Sequence, residues 1–289
     1  MKKIFLSLLV GAAVLCLAPA VWAQGTLDKI AKSGEFTVGV RDGAIPFGFI
    51  SKENEHIGFS IDVAKEFHKG LEKQAGKSLK LVFKTTNPKT RIPLVANGTI
   101  DIECGSTTHT VAREETVDFT LTVFLTGTQL LVKKGSGIKS YKNLPGKKVG
   151  AAQGSTNEKA IRDLNDKGEI KPAANIVVYQ EHSQGFLALQ RNILDAYVTD
   201  GILLAGMKAK APNPDEFEVV GEFITYDPYA YIVRENDSKF RDFINIEIIK
   251  MIKDGRFFQI YDKWLGPKGT VPYPISDEFR TLLKLQAWP

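Results

Sequence analysis

The sequence predicts an α/β fold built as two lobes packed face to face. Three observations carry this. Short apolar strands alternate with amphipathic helices from Gly25 onward, the succession restarts near residue 127, and no later apolar run approaches the length of a membrane span. Such β-α-β-α order argues for mainly parallel sheets with helices on both faces. The chain has 289 residues, 43% hydrophobic and 25% charged, an ordinary globular balance with room for one large domain or two moderate ones.

Residues 1–23 stand apart. Lys2 and Lys3 precede an apolar run from Ile4 to Leu17, and Val21-Trp22-Ala23 follows it. That is the plan of a secretory signal peptide cleaved after Ala23. The run is short for a membrane span and is followed by Pro19. A lipoprotein signal would need a small residue before Cys16, where Leu15 stands. Export to a bacterial periplasm as a soluble protein is the expectation. Removing Lys2 and Lys3 from 38 basic residues, against 33 acidic, leaves a net charge of +3. That is too mild and too evenly spread for nucleic-acid binding. Cys104 is then the one cysteine left, so no internal disulfide is expected and the core must hold the fold unaided.

The first lobe begins with a short helix over "TLDKIAKS", with Thr26 as its expected cap, and the strand "EFTVGV" follows. "SIDVAKEFHKGLEKQAG" places Ile61, Ala64, Phe67 and Leu71 at helical spacing between Ser60 as cap and Gly76 as stop. Strand "LKLVFKT", a short helix ending at Gly98 and strand "TIDIEC" complete this run. The second lobe reads "GTQLLVKK" and "KKVGAA" as strands, "STNEKAIRDLNDKG" as a helix, then strand, helix, strand, helix to "GILLAGMKAKA". After the turn "APNPDE" come two strands and a helix over Ser238–Asp254, with "RFFQIYDKWL" as a last helical stretch.

Polar residues gather where strands end. Arg41, Arg91, the Ser106-Thr107-Thr108 run with Arg113 behind it, Gly154-Ser155-Thr156, His182 and Asp200 all hold such places. Singly, each arginine suits a solvated surface and each hydroxyl a helix cap. As a set they suit a free amino acid in the interlobe cleft. Hydroxyls and helix N-termini bind a carboxylate, guanidinium forks pair with it bidentately, and one acid, Asp200, matches an α-ammonium. Guanidinium groups remain for a second anionic group.

The stretches "TLDKIAKSG", "GFSIDVAKEF", "RIPLVANGTIDIECGSTT", "GSTNE" and "LLAG" resemble the periplasmic solute-binding proteins of family 3, which deliver polar amino acids to ABC transporters. The similarity spans nearly the whole mature length and is greatest to the glutamate/aspartate-binding branch. It implies a type II periplasmic binding fold of two mixed sheets with flanking helices and a double-crossover hinge. Lobe 1 would comprise residues 24–123 and 228–289 and lobe 2 residues 127–223, with the hinge near 124–127 and 224–227. It implies that Arg113 and Thr108 hold the α-carboxylate, and that Asp200 and Ser106 receive the ammonium. Ser155 would close from lobe 2, and Arg41 and Arg91, helped by His182, would face the side-chain carboxylate. The ligand would be glutamate or aspartate, the partner a membrane permease, the protein a monomer, and no cofactor or metal is implied. Pro88, Ala152 and Ser60 depart from the pattern of the family, and the first two remove possible hydrogen bonds near the ligand. One such bond to a charged ligand is worth about 1.5–3 kcal/mol, enough to reorder glutamate, aspartate and other polar amino acids.

Enzymatic readings are weaker. Cys104 as a nucleophile needs a base and a lowered pKa, yet it ends an apolar alternation, and His109 lies beyond a Gly-Ser-Thr-Thr turn. The four histidines, at 56, 68, 109 and 182, have no metal-ligand spacing. The serious rival is a cyclohexadienyl (prephenate/arogenate) dehydratase on the same fold, which needs an isolated acid in the cleft. Glu181 is the nearest candidate. A sensor that presents ligand to a receptor is a third reading, separable by whether permease genes adjoin.

Overall fold

The computed structural model describes residues 25–287, so the predicted signal peptide lies outside the described residues. The chain begins with α1 (Thr26–Ser33), β1 (Glu35–Val40), β2 (Gly43–Ala44), β3 (Gly48–Ile50), β4 (His56–Ile57) and α2 (Phe59–Ala75). There follow β5 (Lys80–Thr85), α3 (Arg91–Ala96), β6 (Ile102–Glu103), α4 (Val111–Glu114) and β7 (Val117–Thr126). A second run comprises β8 (Thr128–Lys133), β9 (Lys148–Ala152), α5 (Thr156–Asp166), β10 (Asn175–Tyr179) and α6 (His182–Gln190). It continues through β11 (Ala196–Asp200), α7 (Gly201–Ala209) and β12 (Phe217–Val220). The chain then returns as β13 (Asp227–Arg234), α8 (Ser238–Asp254), α9 (Arg256–Leu265) and α10 (Asp277–Gln286).

Two five-stranded mixed sheets result, ordered β5-β1-β6-β13-β7 and β10-β9-β11-β8-β12. Each has three parallel strands and two that introduce antiparallel pairing, β13 and β7 in the first lobe and β8 and β12 in the second. The predicted parallel β-α-β units are therefore present, and the antiparallel strands join the edges at which the chain passes between sheets. It does so at Gly127 and through residues 221–226. The two passages touch: a Cβ at Gly127 would lie 2.3 Å from the carbonyl oxygen of Thr225.

The first lobe's core is aromatic. Phe47 meets Phe124 and Tyr229 at ring-centroid distances of 5.0 and 5.2 Å, and Phe59, Phe67 and Tyr261 pack around them. Helix α2 buries Phe59, Ile61, Val63, Ala64, Phe67 and Leu71, the apolar stripe of the sequence. Two predicted caps are corrected. Gly25, not Thr26, is the N-cap of α1, and the Thr26 N–H donates to Asp237 at 2.7 Å. Helix α2 starts after Gly58 (φ 140°), where a Cβ would be 2.3 Å from the Phe47 carbonyl oxygen. Ser60 is thereby freed from capping and donates its hydroxyl to the Gly105 carbonyl at 3.1 Å.

Candidate functional site

Strand β6 ends in the turn Cys104–Thr108, and this turn is the floor of the cleft. Cys104 is fully buried, and burial, with Glu103 beside it, pushes its thiol pKa well up. A buried neutral thiol is inert, as the apolar alternation predicts. Gly105 is required by crowding: a Cβ there would stand 2.1 Å from Glu103 Oε1 and 3.1 Å from Arg41 Cγ. Thr107 Oγ1 donates to Glu103 at 2.6 Å, and the Arg91 guanidinium donates to the Ser106 carbonyl at 3.0 Å. The turn is thus held from Ser60 on one side and from Arg91 on the other.

Above it lies a small interlobe cavity of about 10 Å³. Arg41, Arg91, Ser106 and Thr108 line it from the first lobe. Ser155, His182 and Asp200 face them from the second. Seven of the eight sequence-predicted residues therefore converge on one cavity. Arg113 instead sits at its edge, half-buried, donating to the Thr108 carbonyl at 2.6 Å and reaching the Gly154 carbonyl across the lobes at 3.5 Å. A larger solvent-open groove on the second lobe, beside Lys139, Lys142 and Gly221, holds none of these groups.

The cleft carries unspent donors. Arg41 is completely buried and gives one Nη2–H to Glu181 at 3.2 Å, while its Nε and Nη1 have no protein partner. Arg91 Nε and Ser106 Oγ are likewise buried and unpartnered. Leaving such groups unsatisfied costs about 1–3 kcal/mol each, more when charged, so they mark a place for an anion. Burial pushes the Arg91 pKa down to about 9, with Arg113 adding to it and Glu103 opposing. It remains a cation at neutral pH.

Opposite stands Asp200, at the end of β11. Asn157 donates to its Oδ1 at 3.0 Å and the Tyr229 hydroxyl to its Oδ2. Burial and the neighbouring Asp227 push its pKa up to about 7, against the hydrogen bonds of Tyr229 and Asn157 and the charge of Arg91. His182 opens α6 and is buried rather than at the surface. Its Nδ1 meets the Tyr197 hydroxyl at 3.0 Å, and burial with Arg41 and Arg91 nearby holds it well below the usual imidazole range. Neutral, it adds no positive charge to the site. The Ser155 hydroxyl donates to the Ala152 carbonyl at 2.8 Å and caps α5 by accepting from Glu158 N–H at 3.0 Å. It serves the helix start, and the hydroxyl from this lobe that meets the other lobe belongs to Thr156, 3.3 Å from that of Thr108.

Sequence reasoning named Thr156 among the strand-end polar residues without giving it a role, and missed Asn157, Thr199 and Leu203 in the lining and Tyr229 behind Asp200. Thr156 and Asn157 lie inside the quoted "GSTNE", whereas nothing local to Tyr229 signals its reach across 29 residues. His109 packs flat on Phe119 (4.2 Å between ring centroids) and pairs with Glu114 at 2.5 Å, away from the cavity lining. Among the described residues no group of His, Cys, Asp and Glu side chains is placed to hold a metal.

Known proteins resemble the chain over most of its length. The profile of the bacterial extracellular solute-binding proteins, family 3, matches residues 36–267. An L-glutamate/L-aspartate-binding protein of Pseudomonas aeruginosa is 36% identical over 280 residues, covering 94% of this chain and 92% of that one. A glutamate/aspartate import solute-binding protein of Escherichia coli K12 is 35% identical over 273 residues, covering 92% and 89%. The solved structure of the ancestral amino acid-binding protein AncCDT-1, a precursor of cyclohexadienyl dehydratase, superposes with a TM-score of 0.72. It is 32% identical and covers 83% of this chain and 99% of its own.

Proposed function

This chain belongs to the bacterial extracellular solute-binding proteins of family 3, and from that premise we propose that it captures glutamate or aspartate and delivers it to the permease of an ABC transporter. The observation that carries the acidic ligand is the set of buried, unpartnered guanidinium N–H groups of Arg41 and Arg91 facing Asp200. A neutral amino acid satisfies one anion site and leaves the other desolvated and unpaired. An acidic one satisfies both. Names of the P. aeruginosa and E. coli relatives support the same ligands.

In this reading Arg113 and Thr108 hold the α-carboxylate, Ser106 and Asp200 the ammonium, and Arg41 and Arg91 the side-chain carboxylate beside a neutral His182. The lobes move about a hinge near 124–127 and 224–227, and the ligand's greater affinity for the closed arrangement drives closure. The protein works as a monomer in the periplasm after loss of residues 1–23. A thermal-shift panel of amino acids tests this, because a ligand that binds only the native state raises its midpoint. Glutamate or aspartate is expected to give the largest rise, and no response to either would sink the assignment.

Asp200 gives a pH test. Ionised Asp200 is the form that accepts an ammonium, and its pKa near 7 leaves it largely protonated below neutrality. Affinity is therefore expected to fall as pH drops through 7, by up to about tenfold per unit well below it. Calorimetry in buffers of different ionisation enthalpy should show a proton released on binding at pH 6.5, and Asp200→Asn should lose that release. The same shift acts oppositely on the ligand-free fold. A carboxyl whose pKa is raised by folding costs nothing below about pH 4, costs more as pH rises to about 7, and a constant amount above.

The dehydratase reading is supported by Glu181, whose pKa burial raises, and by the likeness to a precursor of cyclohexadienyl dehydratase. Glu181 is spent on Arg41 at 3.2 Å, so a binding role without catalysis is favoured. Formation of phenylpyruvate from prephenate would reverse that preference.

A further inference from the structure

Helix α7 is buried at Gly201–Leu204, Gly206 and Met207, and its two sides belong to different cores. Leu204 and Met207 pack inside the second lobe with Leu131, Tyr197 and Phe217. Ile202 and Leu203 are buried in the first lobe's cluster, and Ala205 packs against it. The first-lobe contacts of Ile202, Leu203 and Ala205 are therefore made only while the lobes are together. Where α7 crosses the loop between β2 and β3 it carries Gly206. A Cβ there would lie 2.2 Å from the Ile45 carbonyl oxygen, 2.9 Å from its carbonyl carbon and 3.0 Å from its Cβ. The obstruction is backbone, which cannot swing aside as a side-chain tip would. Glycine is a poor helix former and alanine the best, so helix propensity gives no reason for glycine at 206.

The contact spans the ligand site. Asp200 is the N-cap of α7, and Arg41 stands four residues before Ile45, on the other side of the two-residue strand β2. How deeply α7 seats on Ile45 sets the gap between the acid of one lobe and the guanidinium of the other.

We propose that Gly206 is a positioning residue for ligand capture: its missing side chain lets α7 seat on the Ile45 backbone and bring Asp200 to its working distance from Arg41. The assignment rests on the reading of this cleft as one that closes over an amino acid. It is tested by Gly206→Ala, with Gly43→Ala as a matched control. The control sits at the same lobe boundary, but a Cβ there would meet only Ser183, at 3.9 Å.

Calorimetric titration with glutamate, aspartate and glutamine is expected to show Gly206→Ala at least tenfold weaker for every ligand the wild type binds, with the ratios between ligands unchanged. Its ligand-free thermal midpoint should equal or exceed the wild type's, and its ligand-induced contraction in small-angle scattering should be reduced. Gly43→Ala should bind as wild type. Wild-type affinity in Gly206→Ala overturns the proposal. So does weakened binding accompanied by a lowered ligand-free midpoint, which would put the clash within the fold and not between the lobes. A wild type that responds to no amino acid sinks the capture reading and this assignment with it, whereas failure of Gly206→Ala alone leaves capture standing.

Discussion

Replacing Arg113 with alanine is expected to abolish measurable binding of every amino acid, acidic or neutral. The α-carboxylate is common to all of them, and Arg113 is its proposed clamp. The side chain already joins the two lobes, from the Thr108 carbonyl at 2.6 Å to the Gly154 carbonyl at 3.5 Å. Removing one partner of a desolvated ion pair costs about 3–5 kcal/mol, or two to nearly four orders of magnitude in Kd. Calorimetry with glutamate, aspartate and glutamine checks it, and retained binding of any of them at wild-type strength would refute the clamp. The fold should survive, because Arg113 lies on the four-residue helix α4, which buries no side chain.

Arg91→Ala should behave differently. Its Nη1–H holds the Ser106 carbonyl, and its Nε is buried and unpartnered in a residue that lines the cavity. Loss of the latter removes a charged hydrogen bond that an acidic side chain makes and a neutral one does not. Glutamate and aspartate are expected to weaken by about two orders of magnitude or more, and glutamine by less than about tenfold. Equal losses for glutamine and glutamate would mean that Arg91 acts through the Ser106 turn alone.

How far the sequence discloses this molecule differs between fold and site. Strong helical periodicity locates α2, α5 and α8 within a residue or two, because their buried stripes recur at helical spacing. The small sheet β2-β3-β4, of two or three residues per strand, has no period to read. Strand β7 mixes buried and half-exposed positions, with register shifts against β13 that blur the alternation. The cavity-lining arginines Arg41 and Arg91 are legible as a set, because several charges gathered at strand ends of an α/β fold point to one cleft. Which hydroxyl is free is not legible. Ser155 and Thr156 look alike in sequence, and only the helix start shows that the first is consumed as a cap. Tyr229 meets Asp200 through the return of the chain and Glu181 meets Arg41 across the two lobes, relations no local window contains.

The burial of Cys104 has a practical side. It is the one cysteine after residue 23, it is sealed in the first lobe's core, and its thiol is held in the unreactive neutral form. The surface of the described residues is therefore blank to maleimide dyes. On a chain that begins after residue 23, a donor and an acceptor attached to cysteines introduced at exposed Val111, on the first lobe, and Ile193, on the second, would be the only surface labels. Their separation would follow lobe motion in solution one molecule at a time, with no native thiol to remove and no core position to disturb.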